Sequence, residues 1–300
     1  MRVIVLGAAG MLGHKLIQRL RKDFEIAGTI REPVSNERLT QALPGVKLYA
    51  NVEATDLLSI EQAIDDWKAR VVLNCVGIVK QAAAASDPVA SISINSLFPH
   101  LLTDITRKLG IRLIHFSTDC VFSGRKGDYT ETDNPDPIDL YGRSKLLGEV
   151  IGQQTLTLRT SIIGRELRGH LGLIDWFLSQ RGKHVNGYVH ALYSGLTTIA
   201  TADLASRIIR EHAELQGLWQ VSGNPISKFD LLRIVNRTYN LGIDLTPEET
   251  FQCDRRLSSD RFRGHTGWQP ETWDNMISEL YLEERTYGAA YSGLSAGKLS

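Results

Sequence analysis

The chain has 300 residues, 42% of them hydrophobic, enough to bury the core of one large or two small domains. Its 34 basic and 34 acidic side chains cancel, so the charge balance gives no reason to expect nucleic acid or an anionic membrane as a partner. Three widely spaced cysteines fit neither a metal site nor a secreted disulfide framework. No apolar run reaches the about 18 residues of a membrane span, and no secretory signal is recognisable, so we expect a cytoplasmic protein without a metal.

The first 160 residues alternate short β-branched runs with longer segments of helical pattern. We predict strands at 2–6, 25–30, 47–49, 71–75, 112–117 and 156–159, with helices near 11–22, 59–68, 88–109 and 140–151. Nearly continuous apolar strands that alternate with helices are typical of a parallel sheet covered on both faces. The sequence therefore predicts an α/β fold with a doubly wound parallel sheet of the Rossmann type.

After about residue 160 the alternation loosens. We expect a helix near 197–213, an apolar strand at 218–222, and helices near 227–240 and 271–285. Because that strand can return to the sheet, we predict a nucleotide-binding domain at 1–163 that takes back about 196–224. A smaller, discontinuous C-terminal substrate-binding region would then comprise 164–195 and 225–287. The small, polar tail at 288–300 is expected to be flexible.

Three glycines, Gly7, Gly10 and Gly13, follow the first predicted strand and open the first predicted helix. Glycine permits a tight turn, close approach of the backbone to a pyrophosphate, and close packing of helix on strand. Free amides at a helix start, together with the helix dipole, favour phosphate charge. The spacing resembles that of the extended short-chain dehydrogenase/reductase superfamily. We expect the cofactor to contact Gly7, Ala9, Gly10, Met11, Leu12 and Gly13.

An arginine, Arg31, comes first after the second apolar run, with Glu32 behind it. An arginine at this position can pair bidentately with the 2′-phosphate of NADP. Alternatively, Glu32 accepts from the 2′-hydroxyl of NAD and Arg31 is solvated. Because Arg31 comes first, we favour NADPH and keep NADH as the alternative. Asp56 and Leu57 resemble the pair that flanks the adenine in the same superfamily, although Asp56 would serve equally well as a helix cap.

A tyrosine and a lysine, Tyr141 and Lys145, stand four residues apart in a predicted helix, with Asp139 as its candidate N-terminal cap. Residues at i and i+4 share a helix face. An unperturbed tyrosine has a pKa of about 10, and a neighbouring ammonium lowers that pKa by favouring the phenolate. We therefore expect Tyr141 to exchange a proton with the substrate, and Lys145 to support it and to bind the cofactor ribose.

A pair of hydroxyl side chains, Ser117 and Thr118, ends the fifth predicted strand. Doubly wound sheets bind ligands at the carboxyl ends of their strands. A hydroxyl at that edge can donate to a substrate carbonyl and stabilise the oxyanion that develops there. The alternative is that both side chains merely cap the strand end.

A longer pattern joins these residues: Ser117-Thr118-Asp119, Val121-Phe122, Tyr129-Thr130-Glu131, Tyr141 to Lys145, and Gly148-Glu149. In it the chain resembles the dTDP-4-dehydrorhamnose reductase family. The resemblance implies binding of NAD(P)H and reduction of the 4-keto group of a nucleotide-activated deoxysugar. It implies that Thr118, Tyr141 and Lys145 are catalytic, that Asn95 supports them, and that Cys75, Val76, Gly77 and Ser117 border the cofactor. On the substrate side we place Asp119, Cys120, Val121, Phe122, Arg159 and Arg256.

A cysteine, Cys120, stands where sugar-nucleotide dehydratases carry a glutamate that serves in elimination. This argues against dehydration, while the reductases of the family usually have a tyrosine here, so the identity of the sugar stays open. We interpret Cys120 as a pocket-lining side chain because no partner base is visible. Cations for a substrate diphosphate are available in the second half at Lys228, Arg255, Arg256, Arg261 and Arg263.

Two other functions stay open from the sequence. One is an NAD-dependent sugar-nucleotide epimerase or dehydrogenase, which would hold NAD tightly and consume no added NADPH. The other is a non-catalytic, nucleotide-binding regulatory relative, against which the intact Thr118, Tyr141 and Lys145 set argues. The predicted helices 88–109 and 140–151 could pair in a homodimer, although nothing in the sequence requires it.

Overall fold

The computed structural model describes residues 1–33, 37–81, 83–167 and 171–291. The strands are β1 (Arg2–Leu6), β2 (Glu25–Thr29), β3 (Lys47–Tyr49), β4 (Val71–Asn74), β5 (Arg112–Thr118), β6 (Thr155–Thr160), β7 (Ile162–Ile163), β8 (His184–Tyr193), β9 (Leu196–Thr197), β10 (Gly217–Gln220), β11 (Ile226–Ser227) and β12 (Asp244–Asp254). The helices are α1 (Met11–Leu20), α2 (Glu37–Ala42), α3 (Leu57–Trp67), α4 (Pro88–Ser91), α5 (Phe98–Leu109), α6 (Leu140–Leu147), α7 (Leu173–Leu178), α8 (Thr198–Glu211), α9 (Lys228–Thr238), α10 (Asp260–Thr266), α11 (Trp273–Thr286) and α12 (Gly288–Tyr291).

Seven strands form the central sheet in the order β10-β6-β5-β4-β1-β2-β3, and every neighbouring pair is parallel. The chain winds outward from β1 in one direction through β2 and β3, and in the other through β4, β5 and β6. The predicted doubly wound parallel sheet is therefore confirmed. The order reverses between β1 and β4, so the carboxyl ends of these strands border the crevice in which such folds bind ligands.

Apolar side chains on both faces of the sheet explain why its strands read as continuous hydrophobic runs. Along β1, Val3 and Val5 enter one buried cluster, whereas Ile4 and Leu6 enter another. Successive side chains of a strand point to opposite faces. Helices α1, α8 and α11 contribute to the first cluster, and α3 and α5 to the second.

The turn between β1 and α1 depends on the missing side chains of two glycines. Gly7 has a φ of +83°, which L side chains rarely adopt. A Cβ on Gly13 would lie 2.1 Å from the carbonyl oxygen of Gly7. The helix can therefore start directly against the strand end, which leaves its first amides at the edge of the sheet.

A second, smaller sheet has the order β11-β8-β12, with β8 and β12 parallel and an irregularity between Glu248 and Gln252. Sequence patterns did not predict β8 or β12, whereas the predicted strand near 218–222 does join the central sheet as β10. Within the described part of the chain, no helix is both long enough and apolar enough to cross a membrane.

The C-terminal segment corrects one expectation. The predicted flexible tail is wrong for Gly288–Tyr291, which form α12, with Tyr291 only 2% exposed. Its hydroxyl lies 2.9 Å from Nε2 of His14 and accepts a hydrogen bond from Nζ of Lys15 at 3.2 Å. These contacts with α1 could not be read from the small, polar residues around them. The rest of the predicted tail, 292–300, lies outside the described residues.

Replacing Gly13 by alanine tests the close approach of α1 to β1. We expect Gly13→Ala to lower the free energy of unfolding by about 1–3 kcal/mol, the usual cost of overpacking. The matched control is Gly264→Ala in α10, because a Cβ there meets nothing within 4 Å. In a helix, that control should be neutral or stabilising by up to about 1 kcal/mol. Urea unfolding followed by circular dichroism measures both, and equal effects would contradict the packing argument.

Candidate active site

The helix α6 carries Tyr141 and Lys145 on one face at the edge of the central sheet. Asp139 is its N-cap and accepts a hydrogen bond from the amide of Gly142 at 2.8 Å, as predicted. The carboxylate of Asp139 also lies 2.7 Å from Nζ of Lys80, in the loop after β4. The start of α6 is thus fixed both locally and across the crevice.

The ammonium of Lys145 is buried at the end of β5. The residue is 6% exposed, and Nζ donates to the carbonyl oxygen of Phe116 at 2.8 Å. Burial lowers the pKa of Lys145 to about 8, while Glu149 and Cys75 act in the opposite direction. Lys145 is therefore charged at neutral pH but titrates much closer to it than an exposed lysine.

The phenol of Tyr141 has a raised pKa, because burial penalises the phenolate and the neighbouring Cys120 adds to that effect. A hydrogen bond with Thr118 acts in the opposite direction and joins the two predicted catalytic hydroxyls. The expectation that Lys145 would lower this pKa is not met here, since the ammonium is directed to Phe116 instead. Tyr141 is thus held protonated, in the state of a proton donor.

Thr118 ends β5, as the sequence predicted, and is 7% exposed. Its hydroxyl accepts from the amide of Cys120 and donates to the carboxylate of Asp119, each at 3.1 Å. The side chain therefore caps the short helical turn at Asp119–Val121 and also faces the phenol. The capping alternative is thus realised, and donation from Thr118 to a substrate carbonyl stays a prediction.

Asn95 lies in a π-helical turn, Ile92–Leu97, between α4 and α5, and is 1% exposed. Its side-chain oxygen Oδ1 accepts from the backbone amide of Ile78 at 2.8 Å. Its side-chain nitrogen Nδ2 donates to the backbone carbonyl of Ile78 at 3.0 Å and to the hydroxyl of Ser144 at 3.2 Å. Asn95 thereby ties the loop after β4 to the helix that carries Tyr141. Turns of this kind occur often at functional sites.

The glycine turn and the loop after β4 meet at the predicted cofactor site. A Cβ on Gly7 would lie 3.2 Å from the backbone of Cys75, and one on Gly77 would lie 3.3 Å from the side-chain oxygen of Asn95. The N-cap of α1 is Gly10, which makes no side-chain capping bond, and the first turn carries no acidic residue. These amides and the helix dipole are suited to hold a pyrophosphate.

Arg31 and Glu32 follow β2 and are exposed, with 74% of the Arg31 side chain accessible. The guanidinium lies 3.9 Å from the carboxylate of Glu32. Asp56 caps α3, because its carboxylate accepts from the amide of Ser59 at 3.2 Å. The capping alternative for Asp56 is thus realised, and any contact with an adenine stays a prediction.

The predicted substrate residues do not all face one crevice. Val121 and Phe122 are fully buried, and Phe122 stacks on Tyr129 with ring centroids 4.1 Å apart. Arg256 forms ion pairs with Asp254 and Asp128. Arg159 is 3% exposed and pairs with Glu149. These four side chains therefore have structural partners, and direct contact of any of them with a substrate stays a prediction.

Lys228, which the sequence offered only as one of five possible cations, and Cys120, which was predicted to line the pocket, both lie at the crevice. Lys228 begins α9, with Nζ 3.7 Å from the ring centroid of Tyr193. Burial lowers the pKa of Lys228 to about 8, opposed by the charge of Asp119. Burial likewise raises the pKa of Cys120 to about 12, which fits a pocket-lining thiol. The available signal was a lysine at the predicted start of a helix, which is too common a feature to single it out.

Among the described residues, no group of three or more histidine, cysteine or acidic side chains is arranged to hold a metal ion.

Comparisons with known proteins identify the family of the chain. A family model described as the RmlD substrate binding domain matches residues 1–241. The dTDP-4-dehydrorhamnose reductase of Burkholderia thailandensis is 30% identical over 61% of this chain and 53% of its own length. That of Mycobacterium tuberculosis is 28% identical over 78% of this chain and 74% of its own length. The chain spans about half the length of the curated relatives that it matches at 30–32% identity.

A solved structure shares the fold over nearly the whole chain. The dTDP-4-dehydrorhamnose reductase of Bacillus anthracis, in complex with NADP, superposes with a TM-score of 0.77. The match covers 94% of this chain and 99% of that one at 20% identity. At that identity the likeness establishes the fold, and the side chains must carry the argument for function.

Proposed function

The chain belongs to the RmlD substrate-binding-domain family, and on that premise we propose that it reduces the C4 keto group of a dTDP-activated deoxysugar with NADPH. The chain is then an NAD(P)-dependent oxidoreductase, with NADH as the alternative cofactor. The observation that carries the proposal is the hydrogen-bonded pair of Tyr141 and Thr118, on the helix face that also presents Lys145. A cytoplasmic location accords with this activity and stays a prediction.

The residues at the sheet edge suit a dinucleotide. The turn from Gly7 to Gly13 leaves amides of α1 uncapped by side chains, so it can hold the pyrophosphate. Arg31 is exposed after β2 and can reach a 2′-phosphate. Lys145 and Ser117 would lie along the nicotinamide ribose. When bound, the cofactor supplies the hydride, and the chain supplies position and the proton.

The protonated phenol of Tyr141 is the proton donor. The substrate carbonyl oxygen would lie between Tyr141 and Thr118, so that the phenol gives its proton to the oxygen as negative charge develops there. Thr118 now donates to Asp119 and would turn that donor hydrogen to the substrate. The Lys145 ammonium lies buried at the Phe116 carbonyl on the same helix face, and its proposed role is to hold the cofactor ribose.

The substrate enters from the side of the second half. We propose that residues 1–163 with about 196–224 hold the cofactor, and that 164–195 and 225–287 hold the nucleotide sugar. Lys228 supports this division, because it faces Asp119 across the crevice from α9. Its ammonium is a candidate counter-charge for a phosphorylated ligand in that region.

Removing one oxygen tests the proton donor. Tyr141→Phe should lower the turnover of a dTDP-4-keto-6-deoxysugar by about 10²–10⁴-fold, the usual contribution of a general acid. NADPH binding, followed by its fluorescence, should change by less than about twofold because the ring is retained. The control is Tyr188→Phe, at a 43% exposed tyrosine of β8, which should leave both values unchanged.

Three results would contradict the proposal. Full activity of Tyr141→Phe would show that Tyr141 is not the proton donor. Purified protein that carries NAD and converts sugars without consuming NADPH would favour an epimerase. Nucleotide binding without turnover of any 4-keto sugar would favour a regulatory protein.

The choice of cofactor rests on Arg31. Arg31→Ala should raise the KM for NADPH about tenfold or more, because a hydrogen-bonded ion pair with the 2′-phosphate is lost. The KM for NADH should stay within about twofold. Arg233→Ala, which removes a similarly exposed arginine of α9, should alter neither. Equal increases for the two cofactors in Arg31→Ala would contradict a phosphate contact.

We also propose that the chain forms a homodimer through α4, α5 and the end of α6. This face exposes apolar side chains: Val89 (74%), Ile92 (49%), Leu97 (53%), Leu147 (64%) and Ile151 (71%). Burying such a patch is favourable. Light scattering should give about twice the 33.4 kDa of the chain, and Leu147→Glu should halve it. Leu282→Glu on α11 is the control, and a monomeric wild type would contradict the proposal.

A further inference from the structure

We propose that Glu149 is a positioning residue, whose carboxylate binds the Ser117 hydroxyl next to the Phe116 carbonyl that holds the Lys145 ammonium, and which acts as the counter-ion of that ammonium. The inference rests on the proposed function, because it assigns a role within the site of Tyr141 and Lys145. Glu149 has no role in the proposed cofactor turn or in the proposed proton transfer. In the sequence it is notable only as part of the family-like pattern Gly148-Glu149.

The carboxylate of Glu149 is buried and fully engaged. One oxygen accepts from the hydroxyl of Ser117 and from Nε of Arg159, both at 2.7 Å. The other accepts from Nη2 of Arg159, also at 2.7 Å. The side chains of Glu149 and Arg159 are 8% and 4% exposed. A bidentate pair of this kind has a fixed geometry, so Glu149 cannot leave its place without uncovering a buried arginine.

The chain brings Glu149 to this place through a glycine. Helix α6 ends at Leu147, and a Cβ on Gly148 would lie 1.8 Å from the carbonyl oxygen of Asn95. Because Gly148 has no side chain, the backbone after α6 can pack directly against the π-helical turn that contains Asn95. Ser117 and Arg159 are register partners on β5 and β6, so their side chains share the sheet face that receives the carboxylate.

The charges around Lys145 leave Glu149 as its anion. Cys75, after β4, faces the ammonium, but burial raises the pKa of this thiol, which stays neutral. His115 on β5 also faces it, and burial together with Lys145 lowers the pKa of the imidazole, which is neutral as well. Tyr141 is protonated. Among these groups Glu149 alone carries negative charge, while Arg159 beside it adds a second buried cation.

Removal of the carboxylate therefore has a definite consequence. The ammonium of Lys145 would then share a buried site with the uncompensated guanidinium of Arg159, so the pKa of Lys145 falls further below about 8. Reduction needs the charged lysine, so activity that is lost on raising the pH would be lost earlier. A merely structural role for Glu149 would lower stability without moving this pH dependence.

A second buried ion pair provides a matched control. Arg165 and Asp175 have side chains 3% and 1% exposed, and Nε of Arg165 donates to the carboxylate at 2.5 Å. Asp175 lies on α7, and its partner follows β7, so both are on other elements than α6. Asp175→Asn should cost stability much as Glu149→Gln does, while leaving the groups around Lys145 unchanged.

The first experiment is the pH profile of kcat/KM for wild type, Glu149→Gln, Glu149→Asp and Asp175→Asn, with the thermal midpoint of each. We expect the basic limb of Glu149→Gln to move about one pH unit or more to lower pH. Glu149→Asp keeps the charge and should restore most of this shift. Asp175→Asn should lower the thermal midpoint and leave the basic limb of the pH profile where it is in the wild type. A Glu149→Gln profile that coincides with wild type would overturn the inference.

The second experiment needs no turnover. The rate at which Lys145 reacts with acetic anhydride, followed by peptide mass spectrometry against pH, reports the pKa of its amine directly. The midpoint should fall in Glu149→Gln and not in Asp175→Asn. A shift in labelling without any reductase activity would overturn the proposed function and keep the pairing of Glu149 with Lys145. An unchanged midpoint would overturn the pairing itself.

Discussion

The hydrogen bond from the Lys145 ammonium to the carbonyl of Phe116 fixes the position of α6 relative to the end of β5. Tyr141 precedes Lys145 by one turn of that helix, and Thr118 follows Phe116 by two residues of that strand. Because helix and strand each have a fixed rise, this one contact brings the phenol and the threonine hydroxyl together. The ammonium is buried, so the contact is made in a poorly screened environment, where it is strong and where the charge needs a counter-ion.

The electrostatics of the site are consistent with the proposed role of Tyr141 as a proton donor. Burial raises the pKa of Tyr141, so the phenol carries the proton that a carbonyl oxygen requires. Burial lowers the pKa of Lys145 to about 8, which leaves it charged at neutral pH and sensitive to each neighbouring charge. Asn95 contacts α6 through Ser144, and Glu149, just beyond the end of α6, binds Ser117 of β5 and Arg159 of β6. The helix that carries Tyr141 is thus held by polar contacts, and Tyr141 itself is partly buried.

Local signals in the sequence predict most of the central sheet and the position of the catalytic helix. The β1 run, the glycine turn and the Asp139 cap each depend on neighbouring residues, so their patterns are complete within a few positions. The strands β8 and β12 were missed because both lie in a small sheet with many exposed residues, and β12 contains Pro247 and an irregular register. Their apolar alternation is too weak to predict a strand.

Contacts between distant segments explain the remaining differences. Tyr291 is buried against His14, 277 residues earlier, and no local pattern could indicate this. Arg159 lies near the carboxyl end of an apolar strand, where a contact with ligand is expected. In the structure, its guanidinium instead donates to the carboxylate of Glu149. The nature of the sugar follows from family resemblance and not from the residues, since a cation such as Lys228 suits a phosphorylated ligand without specifying its ring.

The central claim is hydride transfer to a sugar carbonyl, with the proton supplied by the chain. Its most direct measurement follows the hydrogen itself: NADPH dideuterated at the nicotinamide C4 is incubated with the protein and a dTDP-4-keto-6-deoxysugar, and the product is examined by mass spectrometry and NMR. The account predicts one deuterium at the former carbonyl carbon for each NADPH oxidised. A released sugar without deuterium, or a converted sugar with no NADPH oxidised, would contradict it.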